Sequence, residues 1–458
     1  MDRGAGEISG RKFSWRKTLR FAVVAFGVVV LVCVAVLLSF PDFIFQKFVE
    51  ERITRGFAAA YPAYALRISG THVDVLTGVI ACDSLTLIRN DSSFSSSISR
   101  LSVSGIRWLG LLRGRSADLR GLAGSVLEAG GVDLAFRESG YSVRCGQVRV
   151  SLPDSAIAAQ SVEIHPLMND EQFFAESRFR KTRFDIGARQ CLINGLACAG
   201  MLQGEKIHAR SLQFQDVSIG VLINKEKPSF NDSQRPRMPN EILSSMKDTV
   251  GLDSLIITGG RLKYSESFAM VRKPATLIFD GMQVLITGIA SHAGRNADAD
   301  VQARGIFMGG GTITLAMSIP LSREQFSFRY SGSLSGMDLS RLNPWVEPSD
   351  GTRIKTGTLR SARFDINVDA GSATGNVHAV YENLVIAAIN SHTGSENGLL
   401  DRFSSWVAKN VKIRETNTPD RSGAMKIGAV RYARKKSDPF FGFTWFALRS
   451  GVGDLVGF

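Results

Sequence analysis

The chain divides by the period of its apolar residues. From Phe21 through Val30 to Phe40 runs an uncharged stretch, FAVVAFGVVVLVCVAVLLSF. It has the length an α-helix needs to cross a hydrocarbon core. It also lacks the polar face that a buried helix of a soluble body carries, so it predicts a membrane-spanning helix over 21–41. Residues 43–59 then place Ile44, Phe45, Phe48, Val49, Ile53 and Phe57 at helical spacing, which predicts a short amphipathic helix within 42–61. From Ala65 the period becomes two. Leu85 and Leu87; Leu101 and Val103; Val148, Val150 and Leu152; Phe184 and Ile186; Leu255 and Ile257; Ile313 and Leu315; Phe364, Ile366 and Val368; and Val377, Ala379 and Tyr381 all alternate with small or polar residues. Such runs are half-buried strands. Gly, Asn, Asp and Ser separate them at short intervals, which predicts a mainly β body of antiparallel strands rather than βαβ units.

The flanks of the apolar run orient it. Residues 1–20 carry Arg3, Arg11, Lys12, Arg16, Lys17 and Arg20 against Asp2 and Glu7, whereas 41–60 balance Lys47, Arg52 and Arg55 against Asp42, Glu50 and Glu51. Basic flanks stay on the cytoplasmic side, so the tail 1–20 is expected inside and the body outside. No small-x-small site closes the run, where Leu37, Leu38, Ser39, Phe40 and Pro41 follow one another. An uncleaved signal-anchor is therefore expected instead of a cleaved leader.

A repeat is legible within the β body. Gly105–Gly114 (GIRWLGLLRG) aligns without gaps on Gly195–Gly204 (GLACAGMLQG), glycine on glycine three times. Stacked units of one kind grow by addition instead of around one central core. This gives an N-terminal β-repeat region over 62–223 and a polar, Pro-bearing linker over 224–239. A second β region follows over 240–397, with Asn240 expected to cap a short helix at its start, and a terminal segment over 398–458.

The net charge of +13 suggests nucleic acid until it is located. The tail holds +4, and residues 402–436 carry ten basic side chains against Glu415 and Asp420, which leaves the remainder near neutral. Positive charge concentrated at the two ends fits anionic lipid better than nucleic acid. In the terminal segment Leu399, Leu400, Phe403, Trp406 and Val407 form an apolar helical face. Arg434, Lys435 and Lys436 then directly precede Phe440, Phe441, Phe443, Trp445 and Phe446. That basic–aromatic sequence suits contact with a membrane interface or a partner, with Arg434, Lys435, Lys436, Phe440, Phe441 and Trp445 as the contact set. It equally suits a helix plugging the end of the β body.

Cys33 falls in the apolar run; Cys82, Cys145, Cys191 and Cys198 follow. Cys191 and Cys198 flank Asn194-Gly195, a hairpin dipeptide that would set them face to face across two strands, where an exported protein could bridge them. In the repeat they fall on Leu101 and Trp108, both apolar, which favours buried thiols.

No catalytic constellation is visible. His72, His165, His208, His292, His378 and His392 are scattered, without HExxH, HxH, a nucleophile elbow or a P-loop. Gly309-Gly310-Gly311 precedes a strand, so no phosphate cradle is implied. Asp83, Asp185, Asp365 and Glu266 are expected on a solvated strand face. The expectation is a protein without catalysis, cofactor or metal.

The arrangement of anchor, juxtamembrane helix and repeated strands resembles the AsmA-like, TamB-related repeating β-groove proteins of bacterial envelopes. Three phrases carry the resemblance: Leu252-Asp253-Ser254-Leu255 through Tyr264-Ser265-Glu266, Tyr330-Ser331-Gly332-Ser333-Leu334 through Leu342-Asn343-Pro344, and Asp438-Pro439-Phe440-Phe441-Gly442-Phe443-Thr444-Trp445. The resemblance implies a single-pass inner-membrane protein with a periplasmic body. It also implies a curved sheet whose concave apolar face binds phospholipid or lipopolysaccharide-type acyl chains, in lipid transfer or outer-membrane biogenesis. Leu255, Ile257, Ile313, Leu315, Phe364, Ile366 and Val368 would line that groove, with envelope proteins but no nucleic acid as further partners. The alternatives are a closed β-sandwich with a scaffolding or protein-binding role and an exported hydrolase without a recognisable motif.

Overall fold

The computed structural model describes residues 54–55, 57–59, 61–74, 77–105, 124–197, 206–228, 236–268, 273–292, 297–321, 326–389 and 413–457. The expected anchor with Phe21, Val30 and Phe40 lies outside these residues, as do Cys198 and the apolar face from Leu399 to Val407. Of the expected juxtamembrane helix, 54–55 and 57–59 are helical, and Phe57 is buried with its ring 5.2 Å from that of Tyr61. Among the described residues no helix is long and apolar enough to cross a membrane.

The protein is mainly β, with mostly antiparallel pairing and a few short helices. It divides into two compact units, Met1–Pro153 and Asp154–Phe458. The first holds β1 (Tyr64–Asp74), β2 (Val79–Arg89), β3 (Phe94–Ser104), β4 (Val126–Phe136) and β5 (Tyr141–Ser151), an antiparallel meander in chain order. Leu85, Leu87, Leu101 and Val103, expected on one face, are all buried.

The second unit begins with β6 (Ala156–Pro166), α1 (Asp170–Ala175), β7 (Thr182–Asn194) and β8 (Lys206–Asn224), then α2 (Pro239–Ser244) and β9 (Thr249–Ser267). It continues with β10 (Ala275–Ala290), β11 (Asp298–Phe307), β12 (Gly311–Pro320) and β13 (Phe328–Asp338). A 3-10 turn (Leu339–Leu342) leads into α3 (Asn343–Asp350). The unit closes with β14 (Thr352–Asp369), β15 (Ser372–Ala388), β16 (Gly428–Ala433) and α4 (Phe440–Val456).

One pair departs from the antiparallel expectation. β8 and β9 lie side by side and parallel, from Lys206↔Thr249 to Asn224↔Ser267. A parallel neighbour requires the chain to travel back along the strand. The connection 225–248 does so: it includes most of the polar stretch expected as a linker, and it is long enough to retrace a 19-residue strand of about 60 Å. The division between compact units falls at Pro153–Asp154. α2 starts two residues earlier than expected, with Pro239 in its first turn and Met238, not Asn240, at the cap position. A fixed proline φ suits that first turn.

The Asn194-Gly195 dipeptide does not close a two-residue hairpin. β7 ends at Asn194 and β8 begins at Lys206, so Cys191 stands opposite Phe214 on β8 and Ala159 on β6. The two leading glycines of the repeat share one conformation: Gly105 and Gly195 each follow a strand with φ of +77° and +67°. A Cβ on Gly195 would stand 2.7 Å from the Cβ of Arg210, so a side chain is excluded there by space as well as by φ.

Several strands of the second unit are broken mid-length by a left-handed residue: Ser161 in β6, Asp216 in β8, Gly259 in β9 and Gly281 in β10. Each reverses the inside–outside alternation along its strand, and among β9, β10 and β11 the register shifts as well, as at a β-bulge. Along β9 the apolar face is carried by Leu255 and Ile257 before the bulge, then by Leu262 and Tyr264 after it.

Candidate functional site

Registered partners on adjacent strands share a face. One row therefore runs Ala159, Cys191, Phe214, Ile257, Val284, Ala303, Leu315, Gly332, Phe364 and Val377, from β6 to β15. A second runs Ile157, Ile193, Leu212, Leu255, Ile286, Val301, Met317, Tyr330 and Ile366. Every member is apolar, glycine or tyrosine. Ile313 continues the same face with Leu334, Ala362 and Ala379.

This face is covered at one side and uncovered at the other. α4 packs on β15 and β16, and α3 packs on β10 and β14. Under α4, Phe443 and Ala447 bury themselves with Phe328, Tyr330, Ile366, Val368, Val377 and Val430. The Tyr330 hydroxyl donates to the Thr444 carbonyl across 2.9 Å, and burial pushes the phenol pKa up. Under α3, Trp345 joins Leu277, Phe307, Leu359 and Tyr381. At another margin Met238 is buried with Ala299, Ile319, Leu321 and Phe326.

Between these clusters Leu255, Ile257, Val284, Ile286, Val301 and Ala303 remain half-buried, as do Leu212, Phe214 and Ile193 on the preceding strands. Leu315, Met317 and Phe364 form the edge of the cluster beneath α4. The uncovered rows from β6 to β12 extend roughly 30 Å at about 4.8 Å per strand. Ile366 and Val368 are not part of this window: at 0% and 1% exposure they are sealed into the core. Cys191, free and half-buried, has its thiol pKa raised by burial.

Charge enters the apolar face at one margin. Because of the bulge in β9, Glu266 falls on the same face as Tyr264, buried instead of on a solvated face. It accepts the Tyr264 hydroxyl across 2.6 Å and pairs with Lys225 across 2.8 Å. Burial, then the adjacent carboxylate, pushes the Tyr264 phenol pKa up. The Tyr264 ring also lies 5.8 Å from that of Trp345. Asp185 and Asp365 do sit beside polar partners, with His165 at 2.9 Å and Arg329 at 2.6 Å.

The opposite face of the same strands carries mostly polar side chains, with Ile256, Leu285 and Ala316 among them, and a trough of about 1180 Å³ lies over it. Its lining includes the registered row Gln283, Arg304, Thr314, Ser333, Arg363 and His378. The second bank includes Gln302, Ser331 and Asn376.

The terminal aromatic residues separate along α4. Phe443, Ala447, Gly451 and Leu455 recur every four residues and are buried, while Phe441 is 81% exposed and Trp445 is also exposed. Phe440 is half-buried, its ring 5.4 Å from that of Phe328. Lys435 and Lys436 are exposed, and Arg434 reaches the Pro236 carbonyl across 2.7 Å. The plugging helix and the exposed aromatic surface are therefore two sides of one element. Among the described residues no three His, Cys, Asp or Glu side chains cluster as a metal site.

No protein-family model matches the chain, and no curated protein matches it significantly.

Proposed function

We propose that the uncovered apolar face of the second unit holds lipid acyl chains, in a membrane-anchored envelope protein of the AsmA-like type that takes part in lipid transfer without catalysis. The observation that carries this reading is the pair of apolar rows through Ile257 and Leu255. These rows are buried where α4 lies on them and left half-exposed across β6 to β12. An apolar sheet face ordinarily packs on a second layer. A monomeric soluble protein rarely leaves so wide a contiguous apolar surface in water. Each half-exposed Leu, Ile or Phe gains about 1 kcal/mol or more when an apolar partner completes its burial. Acyl chains fit a surface that has width and length but no polar groups to orient a ligand.

The mechanism asks only for containment. The face offers no polar partner along the rows, so a chain can shift from one register to the next without breaking a hydrogen bond. The exposed Phe441 and Trp445, near Lys435 and Lys436, suit contact with a headgroup region. The inner-membrane anchor and periplasmic placement rest on the charge pattern about residues 21–41.

The test is lipid extraction from the purified full chain followed by mass spectrometry. Phospholipid or lipopolysaccharide-type lipid at a fixed stoichiometry, lost when Ile257 and Val301 are both replaced by Asp, is the expected result. A well-folded protein that carries no lipid and takes up none from vesicles contradicts the reading.

A further inference from the structure

The polar trough is unused by an acyl-chain role, and its chemistry differs from the rest of that face. On neighbouring strands arginines are matched: Arg261 with Asp280 at 3.3 Å, Arg329 with Asp365 at 2.6 Å and Arg360 with Glu382 at 3.1 Å. The side chains of Arg304 and Arg363 have no ion pair or hydrogen bond among the described residues, and both are exposed. They stand in one registered row, three strands apart, about 14 Å between backbones. Between them the hydroxyls of Thr314 and Ser333 share a hydrogen bond of 2.7 Å. Asp365, the carboxylate in the lining, is already engaged by Arg329.

We propose that this trough binds a linear acidic saccharide lying across the strands, with two of its carboxylates on Arg304 and Arg363. Guanidinium groups hold carboxylates by paired, charge-assisted hydrogen bonds. The hydroxyls of Thr314, Ser331 and Ser333 between them, with the amides of Gln283, Gln302 and Asn376 to either side, match the hydroxyls of a sugar chain. A peptide adding as a strand is disfavoured, because it needs a free sheet edge, whereas these backbone groups are already paired within the sheet. Nucleic acid is disfavoured as well. Phe364 in the lining belongs to the apolar face, where it packs near Tyr330, which leaves the His378 imidazole at one end as the single ring on the trough side, short of the row of aromatics on which successive bases stack.

The test uses the full chain and a fluorescently labelled hexamer of a uronic acid, followed by anisotropy at low and at physiological salt. Binding is expected that weakens about tenfold in Arg304→Gln and again in Arg363→Gln, and that falls with salt. A neutral glucose hexamer is expected not to compete. Both arginines are exposed, and an unchanged near-ultraviolet dichroism spectrum checks that the variants fold. Three results overturn the proposal: no binding by the wild type, equal binding by the double variant, or equal competition by the neutral hexamer. Equal competition by single-stranded DNA or polyphosphate overturns the assignment to a saccharide.

Discussion

Gly451 of α4 rests directly on Val430 of β16: a Cβ at Gly451 would stand 2.6 Å from Val430 Cγ2 and 2.7 Å from Val377 Cγ2. The helix closes on the sheet because neither this position nor Gly428 of β16, where a Cβ would stand 2.1 Å from the Gly451 carbonyl oxygen, has a side chain. Replacing Gly451 by Ala returns up to about 1 kcal/mol of helix propensity, but forcing a methyl into so close a contact costs about 1–3 kcal/mol. The expected outcome is net loosening of α4. Hydrogen exchange checks it: amides of α4 and β16 lose protection, while those of β1 to β5 keep theirs.

A second consequence follows from the charge at the margin of the apolar face. Glu266→Gln keeps an acceptor for Tyr264 but leaves the Lys225 ammonium without its counter-charge in a largely buried place. A loss of about 1–3 kcal/mol is expected, toward the upper end because the orphaned group is charged. Replacing both, Glu266→Leu with Lys225→Met, should recover much of that loss, since no charge is then stranded. Urea unfolding of the single and double variants measures the difference.

Docking of α4 is also expected to depend on pH. Asp454 accepts the Ala429 N–H across 2.8 Å and pairs with Lys426 across 3.2 Å. These contacts, the backbone hydrogen bond first, lower its carboxyl pKa below the ordinary 3.8. A carboxyl depressed in the folded state contributes stability that is fully present above its unfolded pKa. That stability is lost as pH falls through the folded pKa. Protection of α4 should therefore hold from neutral pH to about pH 5 and weaken below 3.8. Asp454→Asn should flatten that part of the profile. An unchanged acid profile in the variant would assign the loss to other groups.

Much of the fold is legible as period two. Ile313 with Leu315, and Phe364 with Ile366 and Val368, lie on one face as their spacing predicts. What spacing cannot carry is cover. Leu315 and Ile366 have the same local pattern, yet one sits at the edge of the window and the other beneath α4, a contact set by residues far along the chain. Reversals of alternation are the second gap. A left-handed residue such as Asp216 or Ser161 is chemically ordinary, and the reversal it causes in alternation is invisible locally. The same reversal in β9, at Gly259, moved Glu266 onto the apolar face. The parallel β8–β9 pair was hidden for a related reason, since a polar Pro-bearing stretch reads alike as a linker and as a return crossover. Of the candidate residues, Leu255, Ile257 and Leu315 fall at or beside the uncovered surface. The arginines of the trough were missed because opposite-face positions gain meaning only once the register is known.

The central claim is that one face of the second unit, and not the other, holds acyl chains. A photoreactive side chain at Ile257 or Val301 in the full chain, irradiated in native membranes, tests it most directly when compared with the same group at Gln302 or Gln283. These positions lie on the same or adjacent strands but on the opposite face. The account predicts lipid adducts from Ile257 and Val301 and none above background from Gln302 and Gln283. Adducts of equal yield from both faces, or from the polar face alone, would contradict it.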